Sequence, residues 1–298
     1  MIDSRSNIDL SKLEKINYNI FSRKLKNISS SLKQLTGRFR IMPDFIIIGA
    51  QKCGTTSLYH YLTLHPEIIS AESKEIHFFN INYMLGLNWY KSKFPTLMQK
   101  YITKTISRKN FLTGEASPYY INHVHTPKRI HKTISNVKII AILRNPVDRA
   151  YSHFNFNIKQ KLESLSFEDA LKAEKGRLEG EKEKMMIDPH YNSNNYRNYS
   201  YLNRGIYIDQ IKTWMNLFPK EQFLILRTED LESNPNTVLK QTFEFLNLPD
   251  FTIQNTSHKN VGNYKEMNSD TRKWLIEYFK PHNEKLYKYL ERDFQWDK

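Results

Sequence analysis

The chain has 298 residues, 39% hydrophobic and 13% aromatic, enough apolar material for a sizeable core in one large domain or two small ones. Its 45 Lys and Arg exceed 31 Asp and Glu, and the formal net charge of +14 favours polyanionic partners: nucleic acid, an anionic membrane, or phosphorylated or sulfated ligands. A single cysteine, Cys53, excludes an intramolecular disulfide and a structural zinc site built on thiolates, and no stretch is long and apolar enough to span a bilayer.

Residues 1–40 contain no apolar core like that of a signal peptide, so a cytoplasmic compartment is expected. Basic residues there are interspersed with Leu13, Ile16, Ile20, Phe21, Leu25 and Ile28, spaced as on one face of an amphipathic helix. That spacing predicts a basic arm or packed helix over residues 1–40, with peripheral membrane contact as its second use. The main domain is then residues 41–298. Residues 45–48 are a continuous apolar, largely β-branched run, as in a parallel strand buried on both faces. Residues 137–143 and 223–226 repeat that signal, each among helix-like segments. Strands alternating with helices predict an α/β fold: a P-loop-like parallel sheet flanked by helices, with right-handed crossovers. Residues 165–184 read as a charged helical stretch with a solvated face. Residues 190–201 hold four Tyr and four Asn in twelve positions and read as a coreless loop, either a surface insertion or a substrate-facing segment. Residues 270–290 have helical periodicity that Pro281 is expected to interrupt.

The segment after the first run carries the chemistry. In Gly49-Ala50-Gln51-Lys52-Cys53-Gly54-Thr55-Thr56-Ser57, two glycines bracket a tight turn, so that backbone N–H groups can converge on an anion. The following helix adds its own unpaired N–H groups and positive dipole end. Thr55, Thr56 and Ser57 supply hydroxyls, and Lys52 supplies charge. A Walker A loop has the same glycine spacing, but Thr55 stands where its lysine belongs. A nucleoside triphosphatase also needs an acidic residue at the end of a neighbouring strand to organise magnesium. Here the second apolar run ends in Arg144. A guanidinium there, with Ser152 on the next helix, can pinch a second phosphate, although an ion pair with Asp148 is the simpler use of Arg144. Open α/β sheets bind ligands at that edge.

These residues, together with Lys74-Glu75-Ile76-His77-Phe78-Phe79, resemble the sulfotransferases that use 3′-phosphoadenosine-5′-phosphosulfate (PAPS), in particular the heparan sulfate and related carbohydrate sulfotransferases. Leu64-His65-Pro66, Gly114-Glu115-Ala116-Ser117-Pro118-Tyr119, Leu143-Arg144-Asn145-Pro146 with Arg149-Ala150-Tyr151-Ser152, and Gly205-Ile206-Tyr207 through Trp214 extend the likeness over roughly residues 44–290. The resemblance implies the sulfotransferase fold and metal-independent transfer of a sulfuryl group from PAPS to a hydroxyl or amine, leaving adenosine 3′,5′-bisphosphate. By position, Lys52, Cys53, Gly54, Thr55, Thr56 and Ser57 would hold the 5′-phosphosulfate, and Arg144 with Ser152 the 3′-phosphate. Lys52 would stabilise the leaving group, Glu75 would be the base, and His77 the neighbouring active-site histidine. Lys259, Asn260 and Gly262 fall at the later cofactor loop, although Val261 replaces the lysine that precedes the glycine in carbohydrate sulfotransferases. Ala116 likewise stands where they often carry lysine.

Elementary chemistry supports the same roles. In-line attack needs an activated acceptor and cations where charge develops on the leaving group. Glu75 and His77 are two apart, so an extended segment points both the same way. Lys74, Ser117, Tyr119 and Tyr207 are candidates for contact with a carbohydrate or glycolipid acceptor. The alternative enzyme is a P-loop nucleotide kinase using ATP-Mg. A basic nucleic-acid-binding protein is the third reading, but no recognition motif accompanies the charge, so no specific nucleic-acid partner is expected. His123-Val124-His125 has no third ligand nearby; it reads as surface or cleft histidines, and no metal is expected.

Overall fold

The structure, a computed structural model, describes residues 33–254 and 265–297. Five strands, β1 (Phe45–Gly49), β2 (Ile68–Ser70), β3 (Leu112–Ala116), β4 (Lys138–Leu143) and β5 (Phe223–Arg227), form one sheet in the order β2-β3-β1-β4-β5. Every pairing is parallel. All five residues of the central β1 are buried, the burial that its unbroken apolar run predicts. Phe45 lies opposite Gly114 in β3, and a Cβ on Gly114 would come within 2.5 Å of the Phe45 ring. That close approach explains a glycine in mid-strand.

The longer helices are α1 (Thr55–Leu62), α2 (Leu97–Thr105), α3 (Thr126–Thr133), α4 (Pro146–Lys159), α5 (Phe167–Leu178), α6 (Tyr207–Met215), α7 (Pro235–Leu246) and α8 (Ser269–Leu290). Sequence chemistry sets their starts. Gly54 turns the chain into α1 at φ +80°. Pro146 occupies the first position of α4, where no N–H is needed, and the Asn145 side chain caps the Val147 N–H at 3.0 Å. The sheet, α6, Phe218, Phe294 and Trp296 share the main core. Val147, Ala150, Phe154, Phe167, Leu171, Leu275 and Phe279 form a second core between α4, α5 and α8.

Parallel pairing puts the carboxyl ends of β1, β3, β4 and β5 at one edge of the sheet, which positions the site described below. Several local expectations are corrected. β2 and β3 carry no sequence signal of their own: β2 has three residues, and β3 reads Leu-Thr-Gly-Glu-Ala. The residue 165–184 stretch divides at Gly180, which has φ +70° and starts a separate short helix, Glu181–Ile187. α8 runs through Pro281 because Leu275, Phe279 and Leu286 bury one side of it on both flanks of the proline. Residues 190–201 are not coreless. They contain the helical turn Asn194–Asn198, with Tyr196 and Tyr201 buried, and both phenols find partners: Tyr196 with Asn122 at 3.3 Å, Tyr201 with Glu163 at 3.0 Å. Most of the residue 1–40 arm, residues 1–32, lies outside the described residues.

Candidate active site

Gly49 ends β1 where a Cβ would meet Ile121 at 2.4 Å, so a larger residue cannot occupy it without displacement. The loop that follows turns through two left-handed residues, Lys52 at φ +70° and Gly54 at φ +80°. Cys53 is its inner anchor. The thiol is fully buried 3.7 Å from the Tyr207 hydroxyl, its N–H donates to the Ala50 carbonyl at 3.2 Å, and its carbonyl accepts from Thr228 at 2.8 Å. Burial pushes the thiol pKa up to about 11, so it stays protonated and unreactive.

Lys52 is the outer part of the loop. Its ammonium lies 4.8 Å above the Phe156 ring of α4 and has no carboxylate partner among the described residues. Burial and the neighbouring Arg144 charge both hold its pKa below the usual lysine value. Arg144 follows β4 directly. Its Nη1 reaches the Lys52 carbonyl at 3.5 Å, and its own carbonyl accepts from the Tyr207 hydroxyl at 2.9 Å. Asp148, the simpler partner for Arg144, pairs with Arg272 at 2.5 Å instead. Two cations from different elements thus sit close together in a partly desolvated place. An anion between them relieves that repulsion, and the residues therefore fit a phosphosulfate. Ser152 is buried on α4.

Residues 74–77 lie across the start of α1. The Lys74 ammonium donates to the Thr56 hydroxyl at 3.0 Å and to Glu75 Oε1 at 3.3 Å, while His77 Nε2 lies 2.8 Å from Glu75 Oε2. Burial alone would raise the Glu75 pKa. The hydrogen bond from His77 and the Lys74 charge outweigh it, and the carboxyl is held below its ordinary value. The His77 N–H donates to Ser117 Oγ at 3.1 Å, and Ser117 donates to Glu115 Oε2 at 2.8 Å. Glu115 is fully buried and also accepts from Tyr90 at 2.6 Å and Tyr120 at 3.2 Å. Burial raises its pKa to about 7.

Behind the loop lie buried cationic and imidazole groups. Arg204 donates to Gln51 Oε1 of the loop and, at 2.6 Å, to the Arg197 carbonyl, and its guanidinium stacks 4.7 Å over Tyr119. Arg149 donates to the Tyr201 carbonyl, and its Nε and Nη1 have no hydrogen-bond partner among the described residues. Burial, with Arg204, Arg149 and Lys52 nearby, holds His153 well below the usual histidine value, so it is neutral.

A model of the sulfotransferase domain matches residues 42–295. The chain belongs to the sulfotransferase family. It is an enzyme of the PAPS-dependent class, and its five-stranded sheet with flanking helices is the sulfotransferase fold. Membrane-associated sulfotransferase kil1 of Dictyostelium discoideum is 31% identical, over 95% of this chain and 73% of that protein. Human heparan sulfate glucosamine 3-O-sulfotransferase 5 is 30% identical, over 91% of this chain and 78% of that protein. The crystal structure of a sulfotransferase from Alicyclobacillus acidocaldarius, 29% identical, superposes with a TM-score of 0.66 and covers 87% of this chain and all of that one.

The similarity to a membrane-associated enzyme overturns the expected cytoplasmic location. No described helix is long and apolar enough to cross a membrane, but an absent span does not bear on attachment at a surface. The structure brings Lys52, Thr56, Lys74, Glu75, His77 and Arg144 of this sulfotransferase to one edge of the sheet. It places other candidates behind that edge. Tyr207 and Ser117, expected to meet the acceptor, are buried and hold the Arg144 carbonyl and the His77 N–H. Tyr119 is buried beneath Arg204. Thr55 and Ser57 are buried in the first turn of α1. Lys259, Asn260 and Gly262 lie outside the described residues. His123 is buried rather than at the surface, with Nδ1 3.1 Å from the Thr126 hydroxyl, and burial lowers its pKa to about 3. The His125 ring bonds the Met185 carbonyl. Gln51, Glu115, Arg204 and Thr228 were not legible as site residues. Gln51 and Glu115 fall inside segments that carry the resemblance, without a role of their own there; Arg204 and Thr228 carry no sequence signal.

Proposed function

We propose that the enzyme moves the sulfuryl group of PAPS to a hydroxyl or amine of a carbohydrate or glycolipid acceptor, with Glu75 as general base and Lys52 stabilising the leaving group. The observation that carries this reading is the Lys74 ammonium, bonded at once to Thr56 in the first turn of α1 and to Glu75. It fixes the base beside the anion-binding loop, where an acceptor oxygen and a bound donor can be held in reach of one another. Glu75, held ionised, takes the acceptor's proton; His77 and Lys74 orient its two oxygens. Lys52 faces the charge that develops on departure. Arg144 and Ser152 are the groups for the 3′-phosphate, with Lys259, Asn260 and Gly262 as further candidates. When bound, PAPS supplies a sulfuryl group on a good leaving group, adenosine 3′,5′-bisphosphate. The heparan sulfate glucosamine sulfotransferases among the relatives support a carbohydrate acceptor.

ATP-Mg chemistry is less well supported. β4 leads into Arg144, and both oxygens of Glu115, the carboxylate of β3, are occupied by Tyr90, Ser117 and Tyr120. Thermal shift separates the two readings: adenosine 3′,5′-bisphosphate should raise the melting temperature without magnesium, and ATP-Mg should not. Transfer of labelled sulfate from PAPS across a panel of glycans and glycolipids then identifies the acceptor. Glu75→Gln should lower kcat by about a hundredfold to ten-thousandfold with binding of the bisphosphate retained. Normal turnover of Glu75→Gln on that acceptor would refute the assigned base.

A further inference from the structure

The amphipathic helix α2 turns its apolar face outward. Leu97, Met98, Tyr101 and Ile102 share one face at the i, i+1, i+4, i+5 spacing, yet none of the residues of α2 is buried. Met98 is 65% exposed, Tyr101 64%, and Ile106, just beyond the helix, 73%. In a soluble domain such a face is normally turned into the core. The patch continues onto the segment that precedes β1. Leu35 and Phe39 are exposed there, and the Ile41 N–H to Pro95 carbonyl bond, 3.1 Å, and the Arg40 to Phe94 carbonyl bond, 2.6 Å, tie that segment beside the start of α2. Contiguous exposed apolar surface of this kind marks an interaction site.

Its charge selects the partner. Lys100 and Lys104 flank the apolar face of α2, and Arg38, Arg108 and Lys109 border it, while no Asp or Glu occurs between Glu75 and Glu115. Asp44 and Glu72 are held by lysines of the same region: Asp44 by Lys100 at 3.6 Å, Glu72 by Lys33 at 2.7 Å and Lys93 at 3.9 Å. We infer that this surface, α2 with Leu35, Phe39 and Ile106, docks the enzyme in the interface of an anionic lipid bilayer. Apolar side chains bordered by Lys104, Arg38, Arg108 and Lys109, with one acid, Asp44, opposite Lys100, match a headgroup layer of negative charge over acyl chains. The chain's own residues 1–32 are a poorer complement. They carry six Lys and Arg against Asp3, Asp9 and Glu14, the same sign as the patch. A second copy of the enzyme would likewise bring cations against cations.

The location suits catalysis. Lys100 pairs with Asp44, the residue before β1, so the patch lies toward the amino ends of the strands, and the phosphate loop and Glu75 lie at the carboxyl edge. Docking through α2 leaves the cleft uncovered.

The full chain should be mixed with phosphatidylcholine vesicles or with vesicles of 70:30 phosphatidylcholine and phosphatidylglycerol, and pelleted at low and high salt. Binding should be at least about tenfold stronger to the anionic vesicles and should weaken as salt is raised. The triple substitution Met98→Ser, Tyr101→Ser, Ile106→Ser and the double substitution Lys104→Glu, Arg108→Glu should each lower it about tenfold or more. Circular dichroism and an unchanged melting temperature serve as the check on folding. A parallel variant of the arm, Leu13→Ser, Ile16→Ser, Ile20→Ser, should retain most of the binding. The inference is overturned by absence of binding, by equal binding to both vesicle types, or by loss of binding in the arm variant with the patch variants unaffected. A dimer in solution that only the patch variants dissociate, with no vesicle binding, would assign the surface to self-association and overturn it equally.

Discussion

Glu115 offers a test of the architecture beneath the acceptor side. It is fully buried, and burial raises its pKa from 4.5 to about 7. The folded enzyme therefore holds this proton up to about pH 7, while the unfolded chain releases it near 4.5. Between those values the folded state binds more protons than the unfolded state, so stability falls as pH rises, and the penalty is complete above the folded pKa. A shift of this size corresponds to roughly 2 to 3 kcal/mol accumulated between pH 5 and pH 8. Glu115→Gln removes the titration. It keeps an acceptor oxygen for Tyr90 and leaves a pH-independent offset from the altered contact with Ser117. The melting temperature of the parent relative to the variant should therefore decline by about 5 °C from pH 5 to pH 8, at about 2 °C per kcal/mol for a chain of this size. Thermal denaturation followed by circular dichroism in matched buffers measures it. Curves that run parallel over that range would refute a protonated, buried Glu115 under His77.

Two further outcomes bear on the loop and on the sheet. Lys52→Ala should lower kcat about a hundredfold and weaken adenosine 3′,5′-bisphosphate, read by labelled-sulfate transfer and by calorimetry, because it removes the cation that faces the leaving group. Gly114→Ala drives a methyl into the Phe45 ring at 2.5 Å and should destabilise the fold by about 1–3 kcal/mol in urea denaturation, partly recovered by Phe45→Leu in the same chain.

The sequence made the central strand and its loop legible because burial on both faces leaves an unbroken apolar run, and because a tight anion-binding turn restricts residue choice to glycine, hydroxyls and lysine. Glu75 and His77 do meet, at 2.8 Å, but not by the alternation of an extended segment, because His77 has φ +54°. β3 has no apolar run because its contents answer to particular contacts: Gly114 to the distant Phe45 ring, and Glu115 to the distant Tyr90 hydroxyl together with those of Ser117 and Tyr120 close by in the chain. The Tyr- and Asn-rich segment hides its buried rings for a related reason. Composition argues against a core only when polar atoms lack partners, and Glu163, Asn157 and Asn122 supply those partners from elsewhere. Tyr207 lies at a helix start where a sugar contact was plausible, yet its hydroxyl is turned inward onto the Arg144 carbonyl. Direction of a side chain is set by tertiary packing, which spacing does not encode.

The loop is held from two sides, one facing Glu75 and one facing the buried interior. On one side Lys74 joins Thr56 to Glu75. On the other, Arg204 joins Gln51 to the Arg197 carbonyl and stacks on Tyr119. The second clamp is a buried guanidinium whose hydrogen-bond acceptors are neutral oxygens, an arrangement that costs stability in an isolated domain. Its positive charge nevertheless adds to that of Lys52 and Arg144 at the edge where an anionic donor would sit. A guanidinium fixed by carbonyls cannot relax toward water, so under the proposed function its field would be available to a bound anionic donor without reorganisation. Because Lys74 bonds both Thr56 and Glu75, Lys74→Ala should under that reading weaken adenosine 3′,5′-bisphosphate binding in calorimetry as well as lower kcat.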